Sequence, residues 1–342
     1  MLNLLIGLLL LGTLHGCASL NVDPYEYPEA PLERAQHLPS EQALAGKPIR
    51  IAVSKFDIAG SGTAARLAHN AGLAAVMATT LESYIDDTGA RVIDRSDAES
   101  LTEEVIRVEE AGGVYQGQPI ADYVVRGTVD GASISKRFQE EERHTDDEGK
   151  EHVTPAKCKY TAAVSGRIRV YKMPSLEVAT TVPLEQQYTS AEDARNAACP
   201  IGAQHYQYLR KAAQYAVANA RAAVLNQFAP KGYVLTKRTD GKTYLFKISI
   251  GKNKNLQKGM RVKIFTRVDV KNEITGKVST ETRQIAVGRI TDEIAAKHAW
   301  ILVKDERSAE RIKLGDFVKV HFGGPGLFEA LGQGLHQSLD QI

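Results

Sequence analysis

The order of hydrophobic patterns along the chain constrains its fold more than any other feature. Apolar strand patterns at 49–56, 92–93 and 121–129 alternate with helical patterns at 64–88 and 97–112. This β-α-β-α-β order is typical of an α/β sheet. The helical pattern at 64–88 has apolar residues at three and four spacing and ends at Gly89, a typical C-cap residue.

A meander of antiparallel strands is predicted to extend this sheet. The segments 159–171 and 177–188 read as strands joined by a turn at Pro174, and 139–152 reads as an exposed, highly charged hairpin loop. A second long helix is predicted over 206–228, which is rich in Ala and contains no Gly or Pro, and Pro230 ends it. Residues 48–230 are therefore expected to form one α/β domain, with a mixed sheet and two long helices.

The pattern changes after Pro230. Residues 231–322 contain short apolar segments separated by glycines, which predicts a small all-β barrel. Trp300 is expected in the barrel core, with a carbohydrate-binding platform as the alternative. Residues 323–342 read as a glycine-rich, weakly amphipathic tail that could bind a partner helix or pack on the barrel.

The N-terminus reads as an export and anchoring signal. Residues 1–16 contain an apolar run too short to span a bilayer, followed by Leu14-His15-Gly16-Cys17. This ending resembles the lipobox of bacterial lipoproteins, which implies cleavage before Cys17 and its modification by acyl chains such as palmitate. An ordinary secretion signal and a buried helix are the alternatives. Ala18 favours the outer membrane by the same resemblance, and residues 17–47 are expected to form the lipidated N-terminus and a tether.

Two further cysteines, Cys158 and Cys199, remain in the exported chain. An oxidising compartment favours a disulfide between them, and two separate buried thiols are the alternative.

The segments that could carry chemistry favour structural interpretations. Gly60-Ser61-Gly62 precedes a helix but lacks the Lys-Ser or Lys-Thr pair of a phosphate loop, so a tight turn is predicted. Asp94, Arg95 and Asp97 are interpreted as helix-capping and dipole partners. His144 and His152 flank an acidic loop that could bind a metal, but a solvated surface is preferred. We therefore predict no catalytic residues, no cofactor and no metal site, and hence no enzyme.

The net charge of +2 gives no reason to expect a nucleic-acid partner. The expected partners are instead the membrane, through the lipid, and proteins of an envelope complex.

Three segments of the first domain carry a family resemblance. They are IRIAVSKF, RVIDRSDAESLTEE and ADYVVRGTV. Together they resemble the domain shared by the curli-secretion lipoprotein CsgG and the N-terminal domain of TolB, over about residues 48–228. The barrel segments NLQKGMRVKIF, GRITDE and LGDFVKV resemble the C-terminal SH3-like domain of the flagellar assembly protein FlgT.

The resemblance implies a non-catalytic assembly or scaffold component of a flagellar, pilus, curli-like or secretion apparatus. Such a component could form a homo-oligomer. A periplasmic regulatory lipoprotein that activates a cell-wall enzyme, as LpoB does, is the first alternative. A secretion-channel subunit is the second. The many charges of the hairpin between 130 and 160 disfavour the channel, because burying them against lipid is costly.

Overall fold

The computed structural model describes residues 20–113, 115–118, 120–194 and 196–324. The predicted signal peptide, Cys17 and most of the predicted C-terminal tail lie outside the described residues. The chain forms two compact units, one built mainly from residues 39–232 and the other from residues 20–38 and 233–317. In the described ranges, no helix combines the length and the apolar character needed to cross a membrane.

The elements follow one another in chain order. A short strand, β1 (Glu29–Ala30), precedes the first unit. That unit contains α1 (Glu41–Ala45), β2 (Arg50–Val53), β3 (Asp57–Ile58), α2 (Thr63–Asn70), α3 (Leu73–Asp86), β4 (Arg91–Val92), α4 (Arg95–Glu110), β5 (Tyr123–Gln139), β6 (Glu142–Thr145), β7 (Glu151–Thr154), β8 (Lys157–Lys172), β9 (Glu177–Asp193) and α5 (Tyr206–Leu225). The barrel contains β10 (Lys231–Thr239), β11 (Tyr244–Ile248), β12 (Arg261–Lys271), β13 (Val278–Ile294), β14 (Ala299–Val303), α6 (Glu306–Glu310) and β15 (Phe317–His321).

The first unit is an α/β domain with a mixed sheet. Its strand order is β4-β2-β5-β8-β9, and β3 also pairs with β5. The strands β4, β2 and β5 are parallel, whereas β5, β8 and β9 are antiparallel. The predicted α/β sheet with an antiparallel extension is confirmed, but β5 continues to Gln139, ten residues beyond its predicted end at 129.

The predicted helix at 64–88 is wrong in one respect, because it is two helices. Gly72 separates α2 from α3 with a φ of +65°, a left-handed conformation that a helix interior does not adopt. The helices α3 and α5 pack with residues such as Leu81 and Val217 on one face of the sheet. The helix α4 packs through Leu101 and Val105 in a separate cluster with Val124 and Tyr171.

The second unit contains the predicted barrel. Six antiparallel strands close in the order β10-β11-β14-β13-β12-β15, and β15 returns to pair with β10. Alternate residues along these strands are fully or almost fully buried, as β-strand geometry requires of inward-facing side chains: Phe246, Ile248, Val262, Ile264, Ile290, Ile301, Val303 and Val318.

Residues 20–38 differ from the predicted tether. They lie along the barrel as a segment that we call the strap, and β1 within it pairs with β10. Leu20, Val22 and Tyr27 pack against an apolar cluster on the barrel strands, formed by Leu245, Trp300 and Leu302. The strap is ordered because this burial removes apolar surface from water.

Trp300 is buried, but its place differs from the predicted barrel core. Its neighbour Ile301 belongs to the inward-facing set, so Trp300 points to the outside of the barrel and lies beneath the strap. The ring of Tyr25 meets it edge-on, with 6.4 Å between ring centroids.

Candidate functional site

The most distinctive surface of the first unit is the outer part of its antiparallel sheet. The strands β2 and β3 pair with β5 only as far as Val129. Beyond that point, β5 continues beside β8 and β9 with no further strand on its other side among the described residues. The result is a three-stranded sheet, and neither of its edges pairs with a further strand from the described residues.

One face of this sheet is covered and the other is open. Ala162, Val164 and Tyr188 are buried in the core that contains α5. Cross-strand register places the alternate residues together on the opposite face, where Ser133 pairs with Ala163 and Ala163 with Gln187. We call this surface the open face, and it consists of small or polar residues: Ser133, Ser135, Thr161, Ala163, Ser165, Glu185, Gln187 and Thr189.

Hydroxyl groups on the open face interact with one another across the strands. The hydroxyls of Thr161 and Thr189 lie 3.1 Å apart, and the Ser135 hydroxyl donates to the Thr161 carbonyl at 3.4 Å. Such cross-strand pairs stabilise a sheet by a few tenths of a kcal/mol to about 1 kcal/mol. They leave a flat, polar surface of small side chains.

A shallow concavity of about 340 Å³ lies at one end of the open face. The pairing of β5 with β8 shifts register between Val129 and Gly131, which locally bends the strand. Gly131, Ser165 and Glu185 line the concavity, with Ala64 at its rim. Its lining carries one carboxylate and no cationic side chain.

Three arginines form a charged cluster on the same side of the sheet, and we call them with their partners the arginine cluster. Arg126 lies directly opposite Arg169 in the β5–β8 ladder. Two like charges in that position repel. Glu109 of α4 lies between them, 3.8 Å from Arg126 and 3.6 Å from Arg169, and it accepts a hydrogen bond from the Tyr171 hydroxyl at 3.2 Å.

The rest of the arginine cluster is also paired. Arg126 contacts Asp57 at 3.1 Å, and Arg167 contacts Asp130 at 3.1 Å. A hydrogen bond with Tyr171 raises the pKa of Arg169 above its ordinary value. The cluster links α4 to β5 and β8, and its carboxylates are bound to arginines rather than positioned for acid–base chemistry.

The outer edge of β9 is a second exposed feature of this sheet. Pro183 has no backbone N–H, yet it lies opposite Arg167 within a continuous ladder. A proline is tolerated only where its nitrogen faces away from the neighbouring strand, so position 183 points to the open edge. Glu185, Gln187 and Thr189 share that orientation because they alternate with it. Their backbone N–H groups face this edge and can pair with another strand, while the Gln187 carbonyl accepts a hydrogen bond from the Gln186 side chain at 3.2 Å.

A disulfide between Cys158 and Cys199 confirms the predicted pairing. It fastens the segment before α5 to β8. His205 is buried beside it, its ring 4.1 Å from that of Tyr160. Its Nε2 lies 3.6 Å from Glu192, whose carboxylate accepts a 2.6 Å hydrogen bond from Tyr208. Burial raises the pKa of both Tyr160 and Tyr208. His205, Glu192 and these two tyrosines form one cluster of aromatic and polar side chains.

Other predicted positions lie apart from the open face. Gly60-Ser61-Gly62 forms an exposed turn before α2. Asp94 occupies the N-cap of α4 without a side-chain cap bond, while Arg95 pairs with Glu82 at 2.8 Å. The hairpin of β6 and β7 is fully exposed, as predicted, and His152 pairs there with Asp146 at 2.8 Å.

No three His, Cys, Asp or Glu side chains group closely enough to hold a metal ion in the described part of the chain.

Sequence reasoning missed the arginine cluster and the open face. The signal for the arginines is the alternation in Arg167-Ile168-Arg169-Val170, which places both arginines on one face of a strand. The open face has a weaker signal, because residues 130–138 lie beyond the predicted strand at 121–129 and have few apolar residues in alternation.

Comparisons with known proteins identify no family. No family model matches the chain, and no curated protein matches it. Among solved structures, a homologue of the neuraminyllactose-binding hemagglutinin from Helicobacter pylori is 13% identical, with a TM-score of 0.29, over 56% of this chain and 91% of that one. The PelC dodecamer from Paraburkholderia phytofirmans is also 13% identical, with a TM-score of 0.22, over 58% of this chain and 98% of that one. Scores this low support no inference about fold family or function.

Proposed function

We propose that this chain is an outer-membrane lipoprotein that acts as a non-catalytic assembly or scaffold component of a cell-envelope apparatus. The observation that carries the proposal is the open edge of β9, next to a flat polar face whose side chains are mostly exposed in the described part of the chain. An edge of this kind pairs readily with another strand, and stable proteins normally protect it. In this chain the lipid on Cys17 would hold that edge on the periplasmic side of the membrane.

The chemistry of the first unit supports the same proposal. The carboxylates of the arginine cluster are paired with arginines, and the buried His205 lies among tyrosines and a carboxylate. The segments IRIAVSKF and RVIDRSD, which resemble CsgG and the N-terminal domain of TolB, include β2 and the start of α4. The proposed CsgG-like identity of the first unit and the SH3-like identity of the barrel rest on this sequence resemblance.

The strap argues against the alternative function, a regulatory lipoprotein that reaches out to a cell-wall enzyme. Such a regulator needs a long free linker between its lipid and its folded body. Here residues 20–38 are bound to the barrel, which leaves only residues 17–19 between the proposed lipid and the strap. Three residues extend at most about 11 Å, so the assembly role is preferred.

The proposal is tested by fractionating cells that express the full chain and a Cys17→Ser variant. We expect the unaltered protein to sediment with the outer membrane, to carry acyl groups on its N-terminal peptide by mass spectrometry, and to migrate in mild detergent as a complex larger than one chain. The variant should be released from the membrane. An unacylated N-terminus, or an acylated chain that is strictly monomeric without co-purifying envelope proteins, would overturn the proposal.

A further inference from the structure

The strap fixes where the proposed lipid leaves the second unit. The Asp292 amide donates to the Leu20 carbonyl at 3.1 Å, and the Val22 amide donates to the Asp292 carboxylate at 3.1 Å. Asn21 is bound by the Lys258 ammonium group. The first described residue is therefore attached to the barrel surface at the end of β13.

The strap is attached to the barrel along its length, so its first residue is held in place by more than the contacts at residues 20–22. Arg238 donates to the Tyr27 carbonyl at 3.0 Å and also lies over the Tyr25 ring. Further along, Ala35 and Leu314 are joined by a backbone hydrogen bond of 2.9 Å, and His37 contacts Asp269 at 2.8 Å. The strap cannot lift from the barrel without breaking these contacts together.

Basic residues surround the point where the strap begins. Arg261 of β12 lies directly opposite Arg289 of β13, and both side chains are exposed. Lys258 precedes β12 by three residues and is also exposed. None of these three cations has a carboxylate partner within 4.0 Å among the residues that the structure describes. We call these three residues the basic patch.

The basic patch has an unusual arrangement for a barrel surface. Like charges directly opposite each other destabilise a strand pair, and no carboxylate in the described part of the chain pairs with Arg261 or Arg289. The Arg289 guanidinium donates to the Gly259 carbonyl at 3.3 Å, which keeps it at the patch. Two acidic residues, Asp292 and Glu293, follow Arg289 closely in the sequence. The Asp292 carboxylate already accepts the Val22 amide.

We propose that the basic patch docks on the anionic headgroups of the membrane that holds the lipid, so that the barrel lies on the bilayer with this surface towards it. The inference rests on the proposed lipidation of Cys17. Residues 17 to 20 span at most about 11 Å, close to the Debye length of about 8 Å in physiological salt. Cations held this near an anionic surface are attracted to it. Each Lys or Arg raises the binding constant for the surface by a factor of roughly five.

Docking would restrict the orientation of the barrel relative to the membrane. A protein on a flexible linker samples many orientations, whereas the lipid and the basic patch together make two attachments. The barrel then presents a fixed surface to the periplasm, and the tip of the β12–β13 hairpin lies far from the patch. Lys271 near that tip is ten positions from Arg261 along β12, or about 33 Å.

The test uses the full lipidated chain, purified from membranes and reconstituted into vesicles of phosphatidylglycerol and phosphatidylethanolamine with a nitroxide on the headgroup. A single cysteine replaces Gln257 beside the patch or Ile274 at the hairpin tip, which is 96% exposed. Each carries a fluorophore, because Cys17 would be acylated and the other two cysteines are bonded. We expect strong quenching at position 257 and little at position 274.

Charge reversal separates docking from anchoring. The triple variant Lys258→Glu, Arg261→Glu, Arg289→Glu should float with the vesicles but lose the quenching at position 257. The matched variant Lys242→Glu, Lys271→Glu, Lys277→Glu should keep it. Equal quenching at both positions, or no effect of charge reversal at the patch, overturns the docking alone. Failure of the unaltered protein to float overturns both the docking and the proposed lipoprotein function.

Discussion

At the residue scale, the most informative group is Asp316, which is almost fully buried just before β15. One of its carboxylate oxygens accepts the Lys313 amide at 2.8 Å, whereas its Oδ1 has no hydrogen-bond partner among the described residues. Burial raises the pKa of Asp316 above its ordinary value. The folded state therefore binds a proton more tightly than the unfolded state, so this group stabilises the barrel at low pH and the stabilisation is lost as pH rises.

We expect Asp316→Asn to raise the stability of the barrel at pH 7 by about 1 kcal/mol, because it removes a buried charge and keeps the amide acceptor. The gain should shrink towards the unfolded pKa, near pH 4. Urea denaturation followed by Trp300 fluorescence at several pH values measures it. Asp240 is the control, since backbone amides lower its pKa and Asp240→Asn should not stabilise. A loss of stability in Asp316→Asn that is equal at all pH values would contradict the account.

At the scale of elements, two connections hold segments that have little regular structure of their own. The disulfide fastens the segment that contains Cys199 to β8, and the strap fastens residues 20–38 to the barrel. Both bring together residues far apart in sequence, so neither is a local property of the chain. Removing the disulfide should therefore affect the first unit, and weakening the strap should affect the barrel.

Replacing both cysteines, Cys158→Ser with Cys199→Ser, should destabilise the first unit by about 4 kcal/mol, because the unfolded chain regains the freedom of a long loop. Chemical denaturation followed by far-ultraviolet circular dichroism would measure this loss. Trp300 is the single tryptophan and lies in the barrel, so its fluorescence transition serves as the internal control and should not move. An unchanged transition of the first unit would count against a structural role for the bond.

Weakening the strap should expose Trp300. In Leu20→Ser with Val22→Ser, the aliphatic part of the cover over the indole is lost, and we expect its emission to shift to longer wavelength and its quenching by acrylamide to increase. Glu26→Ser is the matched control, since Glu26 is an exposed residue of the same segment. If the double variant and the control gave the same emission and quenching, the strap would not be the cover that the structure describes.

At the scale of the whole molecule, the sequence predicts the α/β domain and the barrel, because their apolar residues recur at helical and strand spacing. It does not predict the strap, since β1 has only two residues and its partners lie about 200 positions away. It also misses the outer half of β5, where Ser133 and Ser135 give little apolar signal. That segment is a strand because β8 pairs with it, which is a tertiary effect.

The same limits apply to the candidate site. The pairing of Cys158 with Cys199 could be predicted from the oxidising compartment and the number of cysteines. The open face and the β9 edge could not, because they depend on which strands lie side by side and where the neighbours β2 and β3 end.

The central claim is that this chain assembles through the open edge of β9, and light scattering after size exclusion tests it most directly. Gln187→Pro removes an N–H that faces the edge and spares the ladder to β8, while Gln187→Thr keeps that N–H. The account predicts a discrete oligomer for the unaltered protein and for Gln187→Thr, and a folded monomer for Gln187→Pro. A monomer in all three proteins, or an oligomer that survives in Gln187→Pro, would contradict it.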